Sequence, residues 1–182
     1  MTAGRSIEED KTVLIVLSGL PGTGKSEIAD GIARARKSPV LSVDPIESAI
    51  VRAGIPRTFE TGLAAYLIAL TLADKNLAAG LESVIDAVNS VEQAKDSWRE
   101  LATKHAVELR IIECVVSNEE VHRTRLTSRE RGLAFVEPTW DDVERRRAEW
   151  TKWPEPHLTL DALDPTDANL AKALDYVARP SN

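Results

Sequence analysis

The residues Gly19-Leu20-Pro21-Gly22-Thr23-Gly24-Lys25-Ser26 carry the spacing G-x-x-x-x-G-K-S. Glycines at those positions let a loop wrap backbone N–H groups around phosphate oxygens, the lysine reaches the outer phosphates, and the hydroxyl binds magnesium. The context agrees. Thr12 to Leu17 is an unbroken apolar, β-branched run ahead of the loop, and helical periodicity begins at Lys25. Gly24, Lys25 and Ser26 therefore open a helix whose positive N-terminal end faces the anion. The chemistry expected is binding of ATP, or a related triphosphate, together with Mg2+. Gly19, Pro21, Gly22, Thr23, Gly24 and Lys25 would surround the phosphates, and Ser26 would hold the metal.

Phosphoryl transfer to a hydroxyl needs a carboxylate on the acceptor side, whereas hydrolysis needs a positioned water. Asp44 ends the apolar stretch Pro39 to Val43. It reads either as the acceptor-activating carboxylate or as the N-cap of a helix from Pro45 to Ala53. Asp86 closes the strand Ser83-Val84-Ile85, the context of a carboxylate that binds magnesium directly or through water. Ala87 follows it where motor-type ATPases place a water-activating acid, and no Asn-Lys-x-Asp guanine signature follows the fourth strand. Asn89 reads as an acceptor contact or as a helix cap. Between His122 and Arg131 lie Arg123, Arg125, Arg129 and Arg131. The helix capped by Asn118 is expected to run to about Arg129, so Arg125 and Arg129 share a face and suit an arginine-bearing lid; a solvated basic face is the other reading.

The elements that must position these groups alternate. Strands are expected over 12–17, 39–43, 83–85, 107–116 and 157–160, and helices over 25–36, 45–53, 61–79, 90–105, 118–129, 141–150 and 167–178. Such alternation implies an α/β/α sandwich around a five-stranded parallel sheet, with ligands at the carboxyl ends of the strands. Lys25, Asp44, Asp86 and Asp161 would share that rim. The organisation expected is a polar leader over 1–11, one domain over 12–179 with a lid at about 123–138, and a tail over 180–182.

Composition narrows the partners. The chain has 182 residues, a net charge of −6 and 43% hydrophobic residues, which suit a single core and a small-molecule partner rather than nucleic acid or an anionic membrane. No 18-residue apolar stretch exists, and the one cysteine, Cys114, sits in an apolar run. A buried thiol and a reducing, cytoplasmic setting are expected. The sequence leaves the oligomeric state open.

The chain resembles small P-loop kinases of the group often described as "AAA family ATPase" or zeta-toxin-like, related to chloramphenicol phosphotransferase, gluconate kinase and polynucleotide 5′-kinase. The resemblance rests on Gly19 to Ser26, Ser42-Val43-Asp44, Val84 to Asn89, Arg123-x-Arg125-Leu-x-x-Arg129 and Leu158 to Asp161. It implies a nucleoside-kinase-like strand order 2-3-1-4-5, with Lys25 and Ser26 at the β/γ-phosphates and magnesium. Asp44 would be the acceptor-side base, Arg125 and Arg129 lid arginines, and Asp161 and the loop after it neighbours of adenine. In such a fold the acceptor pocket is expected near Asp44, Arg52, Arg57, Tyr66 and Asn89, with Phe59 and Trp98 as further walls. The activity implied is transfer of the ATP γ-phosphate to a hydroxyl of a metabolite, nucleoside or antibiotic. A polynucleotide 5′-hydroxyl kinase and a non-catalytic ATP-binding module are the alternatives.

Overall fold

Val13 to Ser18 is buried along its whole length, as a strand covered on both faces must be. In the computed structural model, which describes residues 12–179, this strand, β1, lies at the centre of a parallel sheet. The others are β2 (Val40–Ser42), β3 (Ser83–Asp86), β4 (Glu108–Val115) and β5 (Leu158–Asp161), in the order β2-β3-β1-β4-β5. The expected sandwich and strand order are present. The helices are α1 (Lys25–Arg36), α2 (Val43–Arg52), α3 (Phe59–Ala78), α4 (Glu92–His105), α5 (Glu119–Thr127), α6 (Trp140–Ala148) and α7 (Thr166–Ala178). The leader and tail expected at the chain ends lie outside the described residues.

Alternation along β1 divides the core in two. Leu14 and Val16 face a cluster with Ala65, Ala69 and Ala73 of α3 and Trp98 and Leu101 of α4. Val13, Ile15 and Leu17 face Ile28 and Ile32 of α1 and Ala173 and Val177 of α7. Cys114 is buried in the second cluster, and burial pushes its thiol pKa up to about 12. The expected inert thiol is present. Trp153 is buried against the first cluster, while Trp140 packs edge-on to His122 at 5.2 Å. Among the described residues, no helix is long and apolar enough to cross a membrane.

Register decides where the site forms. Leu17 pairs with Asp86 across β1 and β3, and Ser42 pairs with Asp86 across β2 and β3. Three strands therefore end level, and the loops leaving them meet on one rim.

Several element ends differ from the sequence reading. The second helix starts at Val43 with Ser42 as N-cap, so Asp44 lies inside its first turn and is not its cap. The third starts at Phe59, because Thr58 and Thr61 form a reciprocal capping box. The fifth stops at Thr127. Arg129 is thus beyond the helix, and the expected shared helical face with Arg125 does not exist.

Asn89 and Trp98 are structural rather than walls of an acceptor pocket. Asn89 is fully buried, with φ 54, a left-handed backbone that asparagine tolerates better than most residues. Its Nδ2 donates to the Leu17 carbonyl (3.1 Å), and its Oδ1 accepts from the Trp98 indole N–H (2.9 Å). Its backbone N–H donates to the Tyr66 hydroxyl (3.2 Å). Nor does it cap α4, whose N-cap is Val91. The side chain ties α4 to the end of β1 just before the phosphate-binding loop. Asn89→Ala strands a buried indole N–H and a buried carbonyl, each at about 1–3 kcal/mol. Denaturant unfolding is expected to show a loss of about 2–5 kcal/mol, and a loss below ~0.5 kcal/mol would contradict the assignment.

Candidate active site

The loop after β1 has no room for side chains where it turns. A Cβ on Gly19, at φ 148, would stand 2.3 Å from the Cys114 carbonyl oxygen. Gly24 precedes α1 as its N-cap in the left-handed conformation, which glycine adopts without strain. Lys25 is buried, its Nζ donating to the Leu20 carbonyl at 3.3 Å. Burial lowers its pKa, against the opposing pull of Asp86 and Asp44. One further residue holds the loop. His122 of α5 is buried, and its Nε2 lies 2.7 Å from the Pro21 carbonyl. A carbonyl only accepts, so Nε2 carries the proton. Burial lowers the His122 pKa despite that bond, and Arg147, Lys25 and Arg125 lower it further, so the ring stays neutral.

Asp86 Oδ2 accepts from Ser26 Oγ at 2.7 Å and from Ser42 Oγ at 3.0 Å. A carboxylate and two hydroxyls at the end of three level strands form a hard-oxygen donor set. Magnesium is commonly held by one or two carboxylates plus substrate phosphates and waters, and Ser26 and Asp86 fit that partial role. Among the described residues, no group of three His, Cys, Asp or Glu could hold a metal without such help.

A cavity of ≈ 430 Å³ is lined by this pair and by Asp44, with Gly22, Gly24, Lys25, Arg125, Arg129 and Arg131 among the other lining residues. Asp44 Oδ2 accepts from Arg131 Nη1 at 2.6 Å. Burial raises the Asp44 pKa, but the hydrogen bond and charge of Arg131, then Lys25 and Arg146, outweigh it, and the carboxyl is held below its ordinary value. Arg131 also pairs with Glu137 at 2.8 Å. Arg129 Nη2 lies 3.0 Å from the same Glu137 Oε2 without hydrogen-bond alignment, and Arg129 Nε has no partner among the described residues. Burial and Arg131 both lower the Arg129 pKa. An anion in the cavity would relieve that strain on its charge. Arg125 Nε donates to the Gly22 carbonyl at 3.4 Å, laying its guanidinium over the loop.

The segment expected as a lid, at about 123–138, takes in the second half of α5 and the stretch after it. It lies against α2: besides the Arg131 and Asp44 pair, the Ala134 N–H donates to Ser48 Oγ (2.8 Å), and Arg57 sits 3.8 Å above the Phe135 ring.

The remaining acceptor residues are not on the cavity. Arg52 is exposed, with only a long 3.4 Å contact to Ser48. Arg57 pairs with Glu47 at 3.1 Å and braces the lid from outside. The Tyr66 phenol packs on the core, and burial raises its pKa to about 12. Phe59 is 81% exposed. The Asp161 carboxylate is engaged within the protein: its Oδ1 accepts from Ser117 N (3.3 Å), in the loop after β4, and from Leu163 N (3.0 Å), in its own loop. The loop itself does border a second, narrower crevice, where Ala162, Asp164 and Asn169 stand with Gly24 and Arg125. There Asn169 donates through Nδ2 to the Asp161 carbonyl, while its buried Oδ1 has no partner among the described residues.

Four residues were not singled out for the site by sequence: Ser42, His122, Arg131 and Asn169. Ser42 and Arg131 stood within two positions of residues that were chosen. His122 gave no pattern because it acts through a contact distant in sequence, and Asn169 read only as one position of the last helix.

Sheet order, loop and cavity together define a P-loop nucleotide-binding fold. More narrowly, a family model described as AAA domain matches residues 14–150, and the chain belongs to this AAA_33 family. No curated protein matches it. Solved structures share the fold at low identity. A candidate kinase from Chloroflexus aurantiacus J-10-fl is 21% identical, with 91% of this chain and 98% of that one covered and a TM-score of 0.73. A gluconokinase from Sinorhizobium meliloti 1021 is 20% identical over 93% and 94%, TM-score 0.66. The APS kinase CysC from Mycobacterium tuberculosis, in complex with AMPPNP and APS, is 15% identical over 93% and 99%, TM-score 0.70.

Gly19→Ala forces the loop away from β4. Backbone strain of this kind costs about 1–3 kcal/mol. Urea unfolding is expected to show that loss, and fluorescent-nucleotide titration a loss of binding; wild-type affinity would contradict the close approach.

Proposed function

We propose that this protein is an ATP-dependent phosphotransferase that moves the γ-phosphate to a hydroxyl of a small molecule. One observation carries the reading. A single cavity is lined by a cation-binding pair, Ser26 and Asp86, and by a second carboxylate, Asp44, together with Lys25, Arg125 and Arg129. That is the division of labour that phosphoryl transfer to an alcohol requires, and Ala87 after Asp86 leaves no acid there to activate water for hydrolysis.

In this reading the loop N–H groups and Lys25 hold the triphosphate, and magnesium supplies charge neutralisation at the phosphates when bound. Asp44 accepts the proton of the acceptor hydroxyl as its oxygen bonds to the γ-phosphorus and the bond to the ADP oxygen breaks. Arg129 and Arg125 stabilise the charge spread over the transferring group. Related structures described as gluconokinase and APS kinase support a small acceptor.

For an acceptor to reach Asp44, the Arg131 pair must loosen. The same pair supports a second reading, an ATP-binding regulatory module in which Asp44 is permanently capped.

ADP release across a library of hydroxyl compounds separates the two. Stimulation by at least one compound is expected for the kinase, and stimulation by none would favour the module. With that acceptor, Lys25→Ala should abolish turnover. Asp44→Asn should keep ATP affinity while lowering transfer by about 10²- to 10⁴-fold; unchanged transfer would remove Asp44 from the chemistry.

The pH profile gives an independent check. Activity needs the Asp44 carboxylate and falls as pH drops through its pKa. In the free enzyme, whose titration the kcat/KM profile reports, Arg131 with Lys25 and Arg146 outweighs burial and keeps that pKa low, so the acid limb of kcat/KM should lie below the ordinary aspartate range. Arg131→Gln removes the depressing charge and leaves burial unopposed by it, so the limb should move to higher pH. An unmoved limb assigns the base role elsewhere.

A further inference from the structure

The α3 helix is apolar nearly all round, the mark of a helix covered on every side. The described residues cover it on the sheet side and along α2 and α4, but not on its outward side. Ala65, Ala69, Ala73 and Leu77 are buried against the sheet. On the outward side Leu63 is 46% exposed, Leu67 53%, Ile68 40% and Leu72 44%. An open groove beside Ile68 and Leu72, walled by Ile46, Ile50 and Ile55, widens this surface onto α2. Contiguous exposed apolar surface of this kind marks an interaction site rather than ordinary surface.

The order of residues along the helix identifies the occupant. A two-fold axis midway between residues 67 and 68 would lay a second α3 antiparallel on the first. Each position then meets its mate: Leu67 lies opposite Ile68, the small Ala64 opposite Thr71, and the exposed Glu60 opposite the exposed Lys75. Leu63 and Leu72, also mates, flank the seam. Acid meets base twice per pair of helices, once at each end, and apolar meets apolar at the centre. The antiparallel arrangement also sets opposite ends of the helix dipoles side by side. A self-complementary patch of this sort is what an isologous two-fold interface demands of one surface.

We propose that this face is where a second copy of the chain docks, α3 against α3, making the protein a homodimer through a surface separate from the catalytic cavity. The inference is independent of the reaction assigned to the cavity. Leu67 forms the centre of the seam, and the Glu60 and Lys75 pairs set its register and direction.

Sedimentation velocity on the full chain over a wide concentration range tests this. A dimer is expected. Leu67→Glu places two carboxylates near the dyad and should give a monomer; because Leu67 is exposed, the melting temperature of the monomeric fold should be kept. Glu60→Lys sets lysine against lysine at both ends and should weaken dimerisation by about tenfold or more. Combining it with Lys75→Glu restores opposite charges and should restore the dimer. A wild-type protein that stays monomeric, or a dimer indifferent to Leu67→Glu, overturns the proposal. A charge swap that fails to rescue overturns the antiparallel register.

Discussion

The level ending of β1, β2 and β3 is the constraint on which the rest depends. Leu17, Ser42 and Asp86 stand side by side in the ladder, so the loop after β1 returns Ser26 to within 2.7 Å of the Asp86 carboxylate while Ser42 reaches it from the other side. Slipping one strand by a residue would turn these side chains onto the opposite face of the sheet. The buried tie of Asn89 to Leu17 and Trp98, and the Ser18 and Gly19 bonds to the Val88 carbonyl, hold β1 and the segment after β3 in that register. Stability and site geometry are therefore carried by the same few contacts.

Electrostatics then divides the cavity. Asp86 is satisfied by two neutral hydroxyls and remains available to a cation, whereas Asp44 is neutralised by Arg131, which Glu137 holds in turn. Arg129 is left short of partners in the same network. The cavity thus holds one carboxylate open to a cation and one paired with Arg131 from the segment after α5. An anionic ligand that drew Arg129 and Arg131 toward itself would weaken the cover on Asp44, which couples nucleotide binding to opening of the acceptor side in the proposed reaction.

Much of this was legible in the residues. Unbroken apolar strands, a glycine-rich loop with lysine and serine, and aspartates at strand ends define the sheet and its rim, because those signals are local and each has one physical meaning. The acceptor side was read less well. Asn89 and Trp98 looked like pocket residues but satisfy each other inside the core, a pairing visible only when β1, β3 and α4 are brought together. Asp161 stands at the expected strand end, yet its carboxylate joins its own loop to the loop after β4. Arg131 was overlooked in favour of Arg129 because α5 was extended two residues too far; with the helix ending at Thr127, the chain turns and brings Arg131 to Asp44. Charged side chains in loops find partners across the fold, and spacing in sequence does not encode those partners.

In the proposed reaction Ser26 and Asp86 form the cation end, and Asp44 the acceptor end, of one cavity. Anomalous scattering from crystals grown with manganese and a non-hydrolysable ATP analogue locates the cation directly. The account predicts a manganese peak bonded to Ser26 Oγ and to Asp86, directly or through one water, with the terminal phosphate between it and Asp44. A peak at Asp44, or a terminal phosphate turned away from that carboxylate, would contradict it.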